Sequence, residues 1–188
     1  MGKIQIASGE LRGRGIQTPA QDTTRPLLTR LRKTLADILR PRLPGARLLD
    51  LFGGSGAIAF ELLSNGAARA DIVEQDGPAA ALIENNAHRL GLHQRVAVHN
   101  ADALRMIARL EERAQCFDII LVAPPYGRGL QQTSIDALAL SGLLAESAIV
   151  IVQRDRREPR TEPVPPLRLV RTRSYGRTVF EFFDLGSP

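Results

Sequence analysis

The sequence predicts an α/β fold: a doubly wound, mostly parallel seven-stranded sheet carrying a short N-terminal β-hairpin extension. Three observations predict it. From residue 46 onward, short apolar runs alternate with longer helix-like patterns, as chained βαβ units do. The first run, Leu48-Leu49-Asp50-Leu51, feeds a glycine-rich turn, Phe52-Gly53-Gly54-Ser55-Gly56, that opens a helical segment. A second run, Asp71-Ile72-Val73, delivers an acid, Glu74, at the end of the next strand.

The elements follow in order. Residues 4–7 and 15–18 read as two short strands around the turn Gly9 to Arg14. Residues 1–22 are therefore the hairpin extension and 23–188 the main domain. Pro26 opens a helix over 27–39 with apolar residues at 28, 31, 35, 38 and 39. That stripe leaves Arg25, Thr29, Arg32 and Lys33 off the core side. Pro41 and Pro44 end it. Strand 47–51 leads to helix 56–64, and strand 70–74 to helix 77–90 with Gly91 as its stop. Strand 95–99 leads to helix 102–113, and strand 117–122 to a helix near 130–140. Strands 148–153 and 178–184 complete the sheet. Segment 154–168, rich in Arg and Pro, reads as a mobile loop. A strand arriving after it is free to run antiparallel at or near the sheet edge.

Composition narrows the class. With 188 residues, 44% hydrophobic and 24% charged, the chain is that of a soluble domain with a sizeable core. No stretch approaches the roughly 18 apolar residues of a membrane span, and residues 1–6 lack the apolar core of an export signal. The single cysteine, Cys116, permits neither an internal disulfide nor a CxxC metal site and reads as a core-edge residue. His88, His93 and His99 show no ligand spacing and no paired acid. A cytoplasmic protein without metal is expected. Charge is segregated: residues 1–47 hold ten Lys/Arg against three acids, 48–153 seven against twelve, and 154–177 eight against three. Two basic flanks around an acidic body point to a polyanionic partner; the alternative is an arginine-rich composition without functional meaning.

The glycine turn lacks the Lys of a phosphate-binding loop. It meets the dinucleotide pattern only in its alanine variant, Gly54-Ser55-Gly56-Ala57-Ile58-Ala59. Asp50, just before it, would repel a pyrophosphate and welcome an ammonium or hydroxyl. A cofactor with an α-amino group and no phosphate satisfies this, namely S-adenosylmethionine; a tight structural turn is the plainer reading. Glu74 is placed to accept from both ribose hydroxyls, or to be a solvated strand-end acid. In Asn100-Ala101-Asp102-Ala103, Asp102 could accept from an adenine amine with the Ala103 amide facing a ring nitrogen, or simply cap the next helix. After strand 117–122 comes Ala123-Pro124-Pro125-Tyr126. Two prolines remove two amide donors, so carbonyls dominate the loop beside an aromatic ring. That suits a planar base bearing an exocyclic amine; a Pro-fixed turn with a core Tyr is the alternative.

At these residues the chain resembles class I methyltransferases that modify amino groups on nucleic-acid bases, whose motif is Asp/Asn-Pro-Pro-Tyr/Phe. The wider pattern is similar to the bacterial 16S ribosomal RNA guanine-N2 methyltransferase family. It comprises Arg12-Gly13-Arg14, Arg25-Pro26-x-x-Thr29-Arg30-x-Arg32-Lys33-x-Leu35, Asp50 to Gly56, Val73-Glu74 and Tyr175-Gly176-Arg177. The resemblance implies a Rossmann-like methyltransferase fold that converts S-adenosylmethionine to S-adenosylhomocysteine. It implies a substrate of 16S rRNA in the small ribosomal subunit or an assembly intermediate, and a monomeric enzyme. The implied cofactor residues are Asp50, Phe52, Gly53, Gly54, Ser55, Gly56, Glu74, Gln75, Asp102 and Ala103. The implied base-handling residues are Ala123, Pro124, Pro125 and Tyr126. Arg12, Arg14, Arg25, Thr29, Arg32, Lys33, Arg154, Arg156 and Arg157 are the expected RNA contacts. One departure stands out: the motif acid is Ala123. Competing readings are a DNA adenine-N6 methyltransferase, for which no target-recognition region is visible, and a catalytically impaired RNA-binding assembly factor. A dehydrogenase is disfavoured by Asp50 and the proline motif.

Overall fold

The computed structural model describes residues 2–19 and 26–186. Strands β1 (Gly2–Gln5) and β2 (Gly15–Thr18) form an antiparallel hairpin, followed by α1 (Pro26–Leu39) and a 3-10 turn at Arg40–Arg42. Then come β3 (Arg47–Asp50), α2 (Ala57–Ser64), β4 (Arg69–Glu74), α3 (Gly77–Leu90), β5 (Val96–Asn100), α4 (Ala103–Glu111), β6 (Phe117–Val122) and α5 (Leu130–Leu140). β7 (Leu144–Asp155), β8 (Arg168–Tyr175) and β9 (Thr178–Asp184) end the described chain. The seven-stranded sheet runs β5-β4-β3-β6-β7-β9-β8. β4 and β5 pair parallel, as do β6 and β7, whereas β9 pairs antiparallel with both β7 and β8. The expected doubly wound sheet with an antiparallel late strand is thus present. The chain divides into two compact units, Met1–Leu48 with Gly53–Ala101, and Leu49–Phe52 with Asp102–Pro188.

In the first unit, local chemistry sets the helix ends. Asp76 caps α3 by accepting from the Ala79 amide at 2.8 Å, with Pro78 in the first turn. Gly91, at φ +76°, ends it and returns its amide to the Ala87 and His88 carbonyls. The hairpin is anchored rather than merely appended. Glu61 of α2, fully buried, accepts from the Ala7 and Ser8 amides and the Ser8 hydroxyl at 2.7–2.9 Å. Asn86 of α3 exchanges two hydrogen bonds with the Gln17 backbone.

The second unit is stitched around β7 and β9. Val150 and Ile151 oppose Phe183 and Phe182, and Gln153 opposes Phe180; these apolar residues are all buried. Five expectations are corrected here. β7 starts at Leu144 and reaches Asp155, longer at both ends than expected. Residues 168–175, unassigned by hydropathy, form β8, the sheet's edge strand. Its residues are exposed on both faces apart from half-buried Tyr175, so no apolar periodicity marks it. Segment 156–167 is a loop, but a pinned one: Arg156 donates to the Arg177 carbonyl, Thr161 to Glu181 and Glu162 to Gln132. Cys116 is exposed, not at the core edge. His99 of β5 does have an acid, Asp71 of β4, with Nε2 2.8 Å from Oδ1. No described helix is long and apolar enough to cross a membrane.

Candidate functional site

In the first unit the glycine turn wraps onto the end of β4. The Gly53 amide donates to the Val73 carbonyl at 2.8 Å, and the Gly54 amide to Glu74 Oε2 at 2.7 Å. A Cβ on Gly53 would sit 2.5 Å from Ile72 Cγ2, so only glycine allows this approach. Gly54 needs glycine for a different reason: its φ is +55°, while the space where a Cβ would go is empty. The space beside Gly54 is therefore open. Glu74 spends its second oxygen on the Asp76 amide at 2.8 Å. Both oxygens are thus positioned by backbone donors, and each keeps lone-pair capacity for a further donor. Asn100 locks the same strand end by donating to the Glu74 and Gln75 carbonyls at 2.9 and 3.1 Å. Gln75 is exposed, while Ser55 and Gly56 are buried. This arrangement fits the hydroxyl-rich face of a nucleoside.

In the second unit Asp50 is buried and accepts from the Phe52 amide at 3.3 Å. The Leu51 amide donates to the Leu121 carbonyl of β6. Asp102 caps α4, accepting from the Arg105 amide at 3.0 Å, while its exposed carboxylate keeps capacity beyond the cap; Ala103 is buried behind it. The loop after β6 presents Tyr126 at 47% exposure, so the Tyr is not a core residue. Its hydroxyl accepts from Gln153 Nε2 of β7 at 3.1 Å. Pro124 is buried and Ala123 half-buried, which fixes the carbonyls at this strand end.

Two residues that hold this loop escaped the sequence reading. Gln153 fixes the Tyr126 ring through its hydroxyl. Glu158 accepts from the Gly127 amide with Oε1, and from Gln131 Nε2 and the Asp155 amide with Oε2 at 3.0 and 2.7 Å. The one signal for Glu158 was its being the only acid between Arg156 and Arg160.

The basic residues sort into two groups. Arg12, Arg156 and Arg157 are exposed. Arg14 is exposed and donates to the Arg89 carbonyl, and exposed Lys33 pairs with Asp37 at 2.8 Å. These five are available to a polyanion. Two others are not, which corrects the expectation for them. Arg154 is buried, its Nε 2.8 Å from Glu181 and its Nη1 on the Asp155 and Glu158 carbonyls. Arg32 is buried against Glu61 and donates to the Gln5 carbonyl and the Thr29 hydroxyl, so it and Thr29 tie α1 to the hairpin. Burial lowers the Arg32 pKa and Glu61 raises it. Arg25 lies outside the described residues.

Known proteins are similar to this chain over most of its length. The sequence profile of the family "Conserved hypothetical protein 95" matches residues 4–184. The Escherichia coli (strain K12) "Ribosomal RNA small subunit methyltransferase D" is 36% identical over 155 residues, covering 82% of this chain and 76% of that protein. A Haemophilus influenzae protein of the same name is 28% identical over 163 residues, covering 86% and 84%. A solved Escherichia coli structure, "Putative methyltransferase yhhF", superimposes with a TM-score of 0.84 at 30% identity, covering 97% of both chains.

Proposed function

We propose, from the premise that the chain belongs to the Conserved hypothetical protein 95 family and is a relative of ribosomal RNA small subunit methyltransferase D, that it methylates the N2 amine of a guanine in 16S rRNA. It is a methyltransferase dependent on S-adenosylmethionine, and its substrate is rRNA. The proposal extends to the small subunit or an assembly intermediate as the substrate form, to a monomer as the acting species and to the cytoplasm as its place. The observation that carries the base-handling role is Tyr126: exposed, tethered by Gln153, and next to two prolines that have no amide hydrogen to donate.

S-adenosylmethionine supplies a methyl group on a sulfonium, which an uncharged amine can attack without metal or strong base. The residues have separable tasks. Gly54 leaves room for the ligand, Glu74 takes the ribose hydroxyls, Asp50 the cofactor's amino group and Asp102 the adenine amine. Phe52, Gly53, Ser55, Gly56, Gln75 and Ala103 are the remaining proposed cofactor contacts. Tyr126 stacks on the guanine, and the Pro124 carbonyl accepts from its N2 amine. Positioning is the main contribution. The amine becomes acidic once methylated and yields its proton to water. Arg12, Arg14, Lys33, Arg156 and Arg157 take phosphates.

Ala123 favours one second reading, a factor that binds RNA and cofactor with little turnover. Losing a positioned hydrogen-bonding group commonly costs about 2.7–4 kcal/mol, roughly two to three orders in rate. The deciding experiment is methyl transfer from labelled S-adenosylmethionine to unmodified small subunits, naked 16S rRNA and duplex DNA, with Ala123→Asp in parallel. Methylation of guanine N2 in the ribosomal substrate by the unaltered chain is the expected result. Activity only in Ala123→Asp would leave binding as the function, and label in DNA would overturn the rRNA assignment.

A further inference from the structure

β8 carries basic residues that the proposed function does not use. It carries Arg168, Arg171 and Arg173 and no acid. Arg168 packs against Gly186. Arg171 and Arg173 are exposed and have no hydrogen-bond or ion-pair partner among the described residues.

The strand registers say which way these two arginines face. Directly opposed residues on neighbouring strands project to the same side of a sheet. Gln153 opposes Phe180, which opposes Arg173; Ile151 opposes Phe182, which opposes Arg171. Arg171 and Arg173 therefore project from the sheet face that bears Gln153, the residue tethered to Tyr126. Arg154, one position on, projects to the opposite face, where it meets Glu181. Arg173 lies two strands from Gln153, about 10 Å at the spacing of a sheet. Along β8 the two arginines are two residues apart, about 6.8 Å. That separation suits successive phosphates of an extended single strand.

Resting on the function proposed above, we infer that Arg171 and Arg173 grip the backbone of the RNA that flanks the target base, on the face that presents Tyr126. Edge strands also carry charge simply to discourage pairing with other sheets, and the register shift between Leu169 and Arg171 serves that purpose. An edge guard needs no RNA and would leave RNA affinity untouched.

The test is binding of a 16S rRNA fragment across a salt series, measured by filter retention. It uses the unaltered protein, the double variant Arg171→Gln/Arg173→Gln, the double variant Arg171→Lys/Arg173→Lys, and a control pair of exposed arginines in and just after α4, Arg109→Gln/Arg113→Gln. Gln at both positions is expected to weaken binding about tenfold and to flatten the log–log salt dependence by about 1.4, two single-strand phosphate contacts. Lys at both positions should retain most of the affinity, and the control pair should match the unaltered protein. S-adenosylmethionine affinity and thermal midpoint serve as folding checks and should not move. Unaltered affinity and slope in the Gln pair would overturn the inference while leaving the methyltransferase reading intact. Failure of the unaltered protein to bind the RNA at all would overturn both. Equal weakening by the α4 control would reduce the effect to net charge and overturn the assigned face.

Discussion

Two loops at strand ends, one in each compact unit, are held by opposite means. The turn after β3 is held by its own backbone: Gly53 and Gly54 amides reach β4 and the side chain it delivers, Glu74. The loop after β6 is held by side chains from distant sequence, Gln153 on Tyr126 and Glu158 on Gly127. The first kind of support is written in residue type, because only glycine permits the approach. The second is written in tertiary contacts, and any polar residue of the right reach could provide it. A backbone-held loop resists perturbation from elsewhere in the chain, whereas a tethered one depends on the segment that carries its tethers.

Substitutions can break or sharpen this contrast. The largest effect is expected from Glu158→Ala, which strands the Gly127 and Asp155 amides and Gln131. A displacement of about 1 Å in a positioning loop can cost on the order of a hundredfold in turnover. Turnover should fall while S-adenosylmethionine affinity, read by calorimetry, stays put; a parallel loss of cofactor binding would show that the tether is not local to the Tyr126 loop. Next comes Gly53→Ala, whose added methyl meets Ile72 and β4 backbone. Overpacking of this kind costs about 1–3 kcal/mol, so the thermal midpoint should drop along with cofactor affinity. An unshifted midpoint would mean the turn is less constrained than its contacts imply. Tyr126→Phe tests the tether alone: it removes one hydrogen bond, worth about 0.5–1.5 kcal/mol, and should lower turnover only a few-fold. Loss comparable to Glu158→Ala would make the hydroxyl itself part of the chemistry.

The smallest effect concerns acid. The Arg157 amide and the Arg177 guanidinium hold the Asp155 carboxyl below its ordinary value. A depressed folded pKa adds stability above the unfolded pKa, about 4, and that stability is lost as pH falls through the folded value. Denaturant titrations should show the advantage of the unaltered protein over Asp155→Asn shrinking from about pH 5 downward. An advantage independent of pH would remove the carboxylate's charge from the account.

The same contrast explains what the sequence made legible. Elements governed by local signals were readable: α3 ends where Gly91 says it should, and Asp102 caps α4. The glycine turn and Glu74 meet as expected because both sit at strand ends joined by one crossover. β8 was not readable, since a strand exposed on both faces has no apolar period. Arg32 and Arg154 were misjudged because a buried arginine looks the same in sequence as a solvated one; their partners, Glu61 and Glu181, lie 29 and 27 residues away. Gln153 and Glu158 were missed for the same reason.

The sheet order also sets a timetable. β9 follows β8 in the chain yet lies between β7 and β8. During folding, β7 presents its apolar edge, Ile149 to Val152, until β9, about thirty residues further on, closes over it. For that time a hydrophobic strand edge is bare, so the yield of folded protein on dilution from denaturant should fall as protein concentration rises.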